Sequence, residues 1–211
     1  MVNYEQLPQA NSNLPNVGLV LLAAGGSTRL GAPKQMLPYQ GRSLLRHAAE
    51  VAVASLCQPI IVVLGANAER LQQEVDQLPV RVVENLRWAE GMSTSVGAGI
   101  EALIGVSEPI EAAVFMLCDQ PFASSQIINE IVKAYTSTGK PIVASQYREA
   151  LGVPALFSRP LFSELTALSG DQGAKKVIAQ HIHEVFGIAF PGGAIDIDTP
   201  KDYEQLLGSG N

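Results

Sequence analysis

The sequence predicts an α/β fold, a three-layer α/β/α sandwich in which helices cover both faces of a mostly parallel sheet. Three observations predict it. Short apolar runs rich in Val, Ile and Leu recur along the chain, segments of helical periodicity separate them, and a glycine-rich stretch follows the first run directly. Strands buried on both faces read as continuous apolar runs, and parallel strands need long, usually helical, connections.

The first strand is predicted over Val17 to Ala23, followed by a loop to Gly31 and a helix from about Ser43, with Leu44, Ala48, Val51 and Ser55 on one face. A strand over Ile60 to Gly65, a helix over Ala68 to Gln77 and a strand over Val80 to Glu84 come next. Val96, Ile100, Leu103 and Ile104 mark a further helix. Ala112 to Leu117 is the most apolar strand of the middle region, followed by a helix over Ile127 to Tyr135 and a strand over Pro141 to Ser145. This alternation predicts a regular right-handed winding.

Beyond Gln146 the pattern loosens. Strands are read at Val153 to Phe157, Glu184 to Ala189 and Ala194 to Ile197, and helices at Leu161 to Leu168 and Ala174 to Gln180. Asp202 to Leu207 closes the chain as a short helix. With 211 residues, the length suits one domain, read over 17–207, after a flexible polar tail over 1–16.

Composition excludes several classes. The 20 acidic and 14 basic residues give a net charge of -6, which disfavours nonspecific nucleic-acid binding. The apolar runs are too short to span a bilayer, the N-terminus lacks a secretory pattern, and Cys57 and Cys118 stand apart without zinc-like spacing. A cytoplasmic protein with buried free thiols is expected. No chemistry is expected at His47, His181 or His183, which lack nucleophile or metal-ligand companions.

Leu22-Ala23-Ala24-Gly25-Gly26-Ser27-Thr28-Arg29-Leu30-Gly31 places small residues at the carboxyl end of a buried strand, where open α/β sheets bind ligands. Small side chains let backbone N–H groups approach an anion, Ser27 and Thr28 add hydroxyls, Arg29 adds a charged fork, and Lys34 follows as a point charge. No Asp or Glu lies between Glu5 and Glu50, so this stretch is basic within an acidic chain. The loop is neither G-x-G-x-x-G nor a P-loop, because Ala32 stands where the P-loop lysine would. An ordinary tight turn is the plain alternative.

Asp119 directly follows a buried strand and is the first candidate for a metal ligand, with a turn or helix cap as its structural alternative. Asp196 and Asp198, two apart on an expected strand, would share one face. Ser93 before a helical pattern reads as an N-cap, and Asp171 as a cap for the helix from Ala174.

The loop resembles that of the MobA-like nucleotidyltransferases, and within them the molybdenum cofactor cytidylyltransferases, whose loop reads L-A-A-G-x-S-x-R-M-G with a Lys soon after; only Leu30 departs. The similarity continues through Trp88-Ala-Glu-Gly-Met-Ser-Thr-Ser95, Leu117-Cys-Asp-Gln-Pro121, Gly152-Val-Pro-Ala-Leu-Phe157, Gly170-Asp-Gln-Gly-Ala174 and Asp196-Ile-Asp-Thr-Pro200.

The resemblance implies a Rossmann-like sandwich of the nucleotide-diphospho-sugar transferase type and a Mg2+-dependent transfer of a nucleoside monophosphate, CMP preferred, from an NTP to the terminal phosphate of molybdopterin, releasing pyrophosphate. It implies nucleotide binding by Leu22, Ala23, Ala24, Gly25, Gly26, Ser27, Arg29, Lys34, Asn85 and Ser93. Arg29, Lys34 and Asp119 would be the catalytic set and Asp119 and Asp196 the metal ligands. Gly91, Ser95, Asp171 and Lys175 would face the acceptor, although Lys175 replaces the family's Arg. A molybdoenzyme is an implied partner. Two other readings stay open: a noncatalytic molybdenum-cofactor chaperone, and a nicotinamide-dependent reductase on the same scaffold.

Overall fold

A computed structural model describes residues 14–27 and 32–208. Most of the expected tail, the positions of Thr28, Arg29, Leu30 and Gly31, and the last three residues lie outside the described residues. The first strand, β1 (Val17–Ala23), is buried along its whole length. Its side chains alternate between two cores. Leu19 and Leu21 join one, while Val20 and Leu22 join the other, so both faces of this strand must be covered.

Helix α1 (Leu44–Val53) starts at Ser43, whose hydroxyl accepts from Arg46 N. Before it, the short strands β2 (Pro38–Tyr39) and β3 (Arg42–Ser43) form an antiparallel hairpin, which two-residue strands cannot announce by periodicity. Strand β4 (Ile60–Leu64), helix α2 (Ala68–Gln72), strand β5 (Arg81–Glu84), helix α3 (Met92–Ile104) and strand β6 (Ala112–Leu117) follow. Helix α4 (Ser125–Thr138) is capped by the Ser124 hydroxyl and ends at Gly139, in the left-handed conformation that closes helices.

Strands β7 (Ile142–Tyr147) and β8 (Ala150–Ser158) form a hairpin, and helices α5 (Phe162–Thr166) and α6 (Ala174–Gln180), strand β9 (Val185–Ala189) and helix α7 (Pro200–Gly208) complete the described chain. Among the described residues the main sheet has seven strands in the order β5-β4-β1-β6-β8-β7-β9. The strand expected at Ala194 to Ile197 does not form; a 3₁₀ turn over Pro191–Ala194 leads into an irregular segment.

The sheet is mostly parallel, as expected, but the regular winding is interrupted at one strand. β8 runs antiparallel to both β6 and β7. Only Arg148 and Glu149 separate β7 from β8, and so short a connection cannot carry the crossover a parallel pair needs. The rest of the sheet is parallel.

From β1 the chain builds outward through β4 to β5, then returns to lay β6 on β1's other side. The carboxyl ends of β1 and β6 therefore flank a topological switch point, where doubly wound sheets open a crevice. No helix among the described residues is long and apolar enough to cross a membrane.

Candidate active site

A cleft of about 350 Å³ opens at this crevice, walled by the β1 loop from Leu22 to Gly26, the end of β6 at Leu117 to Asp119, and the arch carrying Trp88, Gly91 and Met92. A larger cavity of about 600 Å³ lies at the opposite, amino end of the sheet, beside Pro59, Arg81 and Ile110. Among the described residues its only charged lining ones are Arg81 and Glu108, so the smaller cleft is the better candidate for the chemistry.

The loop is held from below by a residue that sequence reasoning missed. Gln35 is buried, and its Nε2 donates to the carbonyls of Ala23 at 3.0 Å and Gly25 at 2.7 Å. Ser27 Oγ donates to Gln35 Oε1 at 3.2 Å and accepts from Lys34 N at 2.9 Å. The Ser27 hydroxyl, expected as a phosphate donor, is thus committed inside the loop. No periodicity marks Gln35, because its role arises from burial beneath a loop ten residues away in sequence.

Lys34 stands in a 3₁₀ turn, Lys34–Met36, with its side chain 17% exposed. Its ammonium donates to Asp119 Oδ2 and, at 3.0 Å, to Asp198 Oδ1. Burial opposes its charge, but the Asp119 carboxylate and the hydrogen bonds to both acids outweigh burial and hold the lysine well above its ordinary value. Asp119 is itself buried, and its Oδ1 has no hydrogen-bond partner among the described residues.

An orphaned, buried carboxylate oxygen beside a second carboxylate is a hard-oxygen donor set suited to Mg2+ or Mn2+. Among the described residues no group of three or more His, Cys, Asp or Glu could hold a metal. Such a site would therefore draw its remaining ligands from substrate phosphate and water.

Asp119 and Asp196, the two acids expected as metal ligands, lie near enough for the charge of one to act on the other. Asp198 is the acid that shares Lys34 with Asp119. Without the expected strand, Asp196 and Asp198 no longer have to share a face, and Asp196 lies within reach of Gln120 and Lys175. Partial desolvation, then the charge of Asp119, raises the Asp196 carboxyl above its usual range.

Asn85 does not line the cleft. It is buried, its Nδ2 donates to Thr94 Oγ1 at 2.8 Å and Ser95 Oγ at 3.0 Å, and its Oδ1 accepts from Arg87 N at 3.0 Å. Its amide pins the arch. Ser93 is buried and its amide donates to Gly170 O at 3.1 Å. It is not the N-cap of α3; that position belongs to Gly91.

Gly91 has φ +114°, and a Cβ there would overlap the carbonyl of Gly170. Only glycine allows this approach. Gly91, Ser95 and Asp171 all line the cleft. Asp171 does not cap α6, whose N-cap is Gly173, without a side-chain hydrogen bond. Lys175 sits apart from that wall, its Nζ 5.7 Å from the Tyr147 ring centroid.

Both cysteines are free and buried, with thiols pushed up to about 12 by desolvation, which makes them unreactive. His47 is kept largely neutral by burial, with Nε2 3.1 Å from the Pro121 carbonyl, a structural role.

Residues 19–185 match the family described as the MobA-like NTP transferase domain. The chain belongs to that family. It is 31% identical to nicotine blue oxidoreductase of Paenarthrobacter nicotinovorans, over 93% of this chain and 99% of that protein. It is 24% identical to molybdenum cofactor cytidylyltransferase of Escherichia coli strain K12, over 89% and 93% respectively. Among solved structures, Rv0371c from Mycobacterium tuberculosis H37Rv superimposes with a TM-score of 0.76 at 32% identity, covering 92% of this chain and 98% of that one; the same protein is also known as a complex with manganese. The observed fold is the Rossmann-like sandwich of the nucleotide-diphospho-sugar transferase type, and the family's activity is nucleotidyl transfer.

Proposed function

We propose that the chain transfers CMP from CTP to the terminal phosphate of a molybdopterin-type acceptor, with Mg2+ as its metal, in the cytoplasm. The observation that carries this reading is the buried, half-unpaired Asp119 set across the switch point from a glycine-rich loop, with Lys34 between them. In the transfer, an acceptor phosphate oxygen forms a bond to the α-phosphorus, the α–β bridging bond breaks, and pyrophosphate leaves. The acceptor oxygen is already anionic, so no protein base is needed.

What the reaction needs is positive charge and fixed geometry around the phosphates. The backbone of Ala24 to Gly26 supplies N–H groups, and Lys34 supplies a cation for the departing pyrophosphate; Arg29 is proposed to join it. A divalent ion held by Asp119 would neutralise polyphosphate charge. Asp198 is the second acid available to it, in preference to Asp196. Gly91, Ser95 and Asp171 form the acceptor wall in this reading, with Lys175 beyond them. The choice of CTP draws on Ala24 in the L-A-A-G loop and on the cytidylyltransferase relative.

The test is incubation with each NTP, Mg2+ and molybdenum cofactor while pyrophosphate is measured. Release with CTP above the other nucleotides is expected, and no release with any NTP overturns the reading. Cofactor binding without release would favour the chaperone alternative. The oxidoreductase relative gives one specific reason to keep a reductase as the second reading; acceptor-dependent loss of NAD(P)H absorbance would establish it.

A further inference from the structure

We propose that Trp88 is the platform on which a flat heteroaromatic ring of the substrate stacks. The inference rests on reading the cleft as a nucleotide site and extends that site from its phosphate end to its ring end. Trp88 is the sole tryptophan of the chain. It begins the 3₁₀ turn Trp88–Glu90, its N–H donating to Asn85 O at 3.3 Å. The Asn85 amide in turn ties this arch to the first turn of α3.

Two glycines from separate elements leave the room the indole occupies. A Cβ on Gly65, just past β4, would lie 2.6 Å from Trp88 Cβ and 2.8 Å from its Cγ. A Cβ on Gly26, in the nucleotide loop, would lie 3.1 Å from Cζ3 and 3.4 Å from Cη2. Side chains at these positions would crowd or displace the ring. The indole is therefore seated firmly at both its root and its far edge.

Despite that seat, Trp88 remains 38% exposed and lines the cleft beside Ala24, Gly25 and Gly26. Met92 and Leu117 add apolar surface, whereas the charged lining side chains among the described residues are Lys34, Asp119 and Asp171. An inorganic polyphosphate gains nothing from an indole. A nucleobase or a pterin does, because aromatic faces stack on it largely without regard to hydrogen-bond pattern. The shared chemistry is a planar heteroaromatic ring, whether on the nucleotide or on the acceptor.

A sole tryptophan reports its own contacts. Emission of the full-length protein is titrated with CTP, GTP, neopterin and inorganic tripolyphosphate, and binding to wild type, Trp88→Phe and Trp88→Leu is measured by calorimetry after thermal unfolding confirms that each variant folds. Ring-bearing ligands should change the emission and tripolyphosphate should not. Trp88→Leu should bind the stacking ligand on the order of tenfold more weakly, Trp88→Phe should restore most of the affinity, and tripolyphosphate should bind all three alike. A response to nucleotides names the base as the ring, and a response to neopterin alone names the acceptor.

Unchanged emission with every ring-bearing ligand, or wild-type affinity in a folded Trp88→Leu, overturns the proposal. Failure of tripolyphosphate to bind would count against the triphosphate site of the proposed function while leaving the ring response readable.

Discussion

The ammonium of Lys34 donates to Asp119 Oδ2, joining the turn that follows the glycine-rich loop to the end of β6. Both side chains are largely shielded, at 17% and 11% exposed. The folded-state pKa of Lys34 is raised above its ordinary 10.5, so the stabilisation is complete below the unfolded value and is lost only as pH rises through the folded one. Lys34→Met should cost about 3 kcal/mol, because Asp119 is left uncompensated. The difference from wild type should hold constant over roughly pH 6 to 9. Thermal unfolding across that range checks it, and added Mn2+ should raise the variant's midpoint more than the wild type's. A difference that collapses near neutrality would exclude this pairing.

Asp119→Asn keeps the shape of the side chain and removes its charge. The fold should survive, while pyrophosphate release from CTP falls on the order of a hundredfold or more and Mn2+ binding weakens in parallel. Undiminished turnover with Mg2+ would remove Asp119 from the chemistry.

Gly91→Ala forces a side chain into a left-handed backbone position already pressed on Gly170. A loss of about 3 kcal/mol is expected from strain and overlap together. The displaced arch should raise the KM of the acceptor. Chemical denaturation and steady-state kinetics measure the two effects, and a variant as stable as wild type would show that this contact is dispensable.

Asn85→Ala abandons three hydrogen bonds around a buried amide. About 2–3 kcal/mol should be lost, and nucleotide affinity should fall through the arch, without any direct contact. If Asn85→Ala retained wild-type stability yet failed to bind nucleotide, a direct contact would replace the positioning role assigned here.

His181 links α5 and α6 to the 3₁₀ turn after them. Its Nε2 lies 2.8 Å from Glu164 Oε2 and its Nδ1 2.7 Å from Glu184 Oε2. Hydrogen bonds to Glu164 and then Glu184 raise its pKa. The sign follows: the clip stabilises fully below the unfolded histidine value and fades as pH rises through the folded one. His181→Asn should cost about 0.5 kcal/mol in mild acid, screened by solvent, and less at alkaline pH. Unfolding midpoints at both pH values test the sign, and a larger cost on the alkaline side would refute it.

The sequence by itself determined the strands Val17–Ala23 and Ala112–Leu117, the helix Ala174–Gln180 and the placing of a glycine-rich loop and Asp119 after buried strands, because continuous apolar runs and helical periods are local signals. Only the tertiary structure decided that β8 runs antiparallel, that Asp198 and not Asp196 meets Lys34, that Asn85 and Ser27 spend their polar atoms inside the scaffold, and that Gln35 supports the loop. Those outcomes depend on which distant groups are buried together. Spacing along a chain cannot disclose how hydrogen-bonding capacity is shared between segments that become neighbours only after folding.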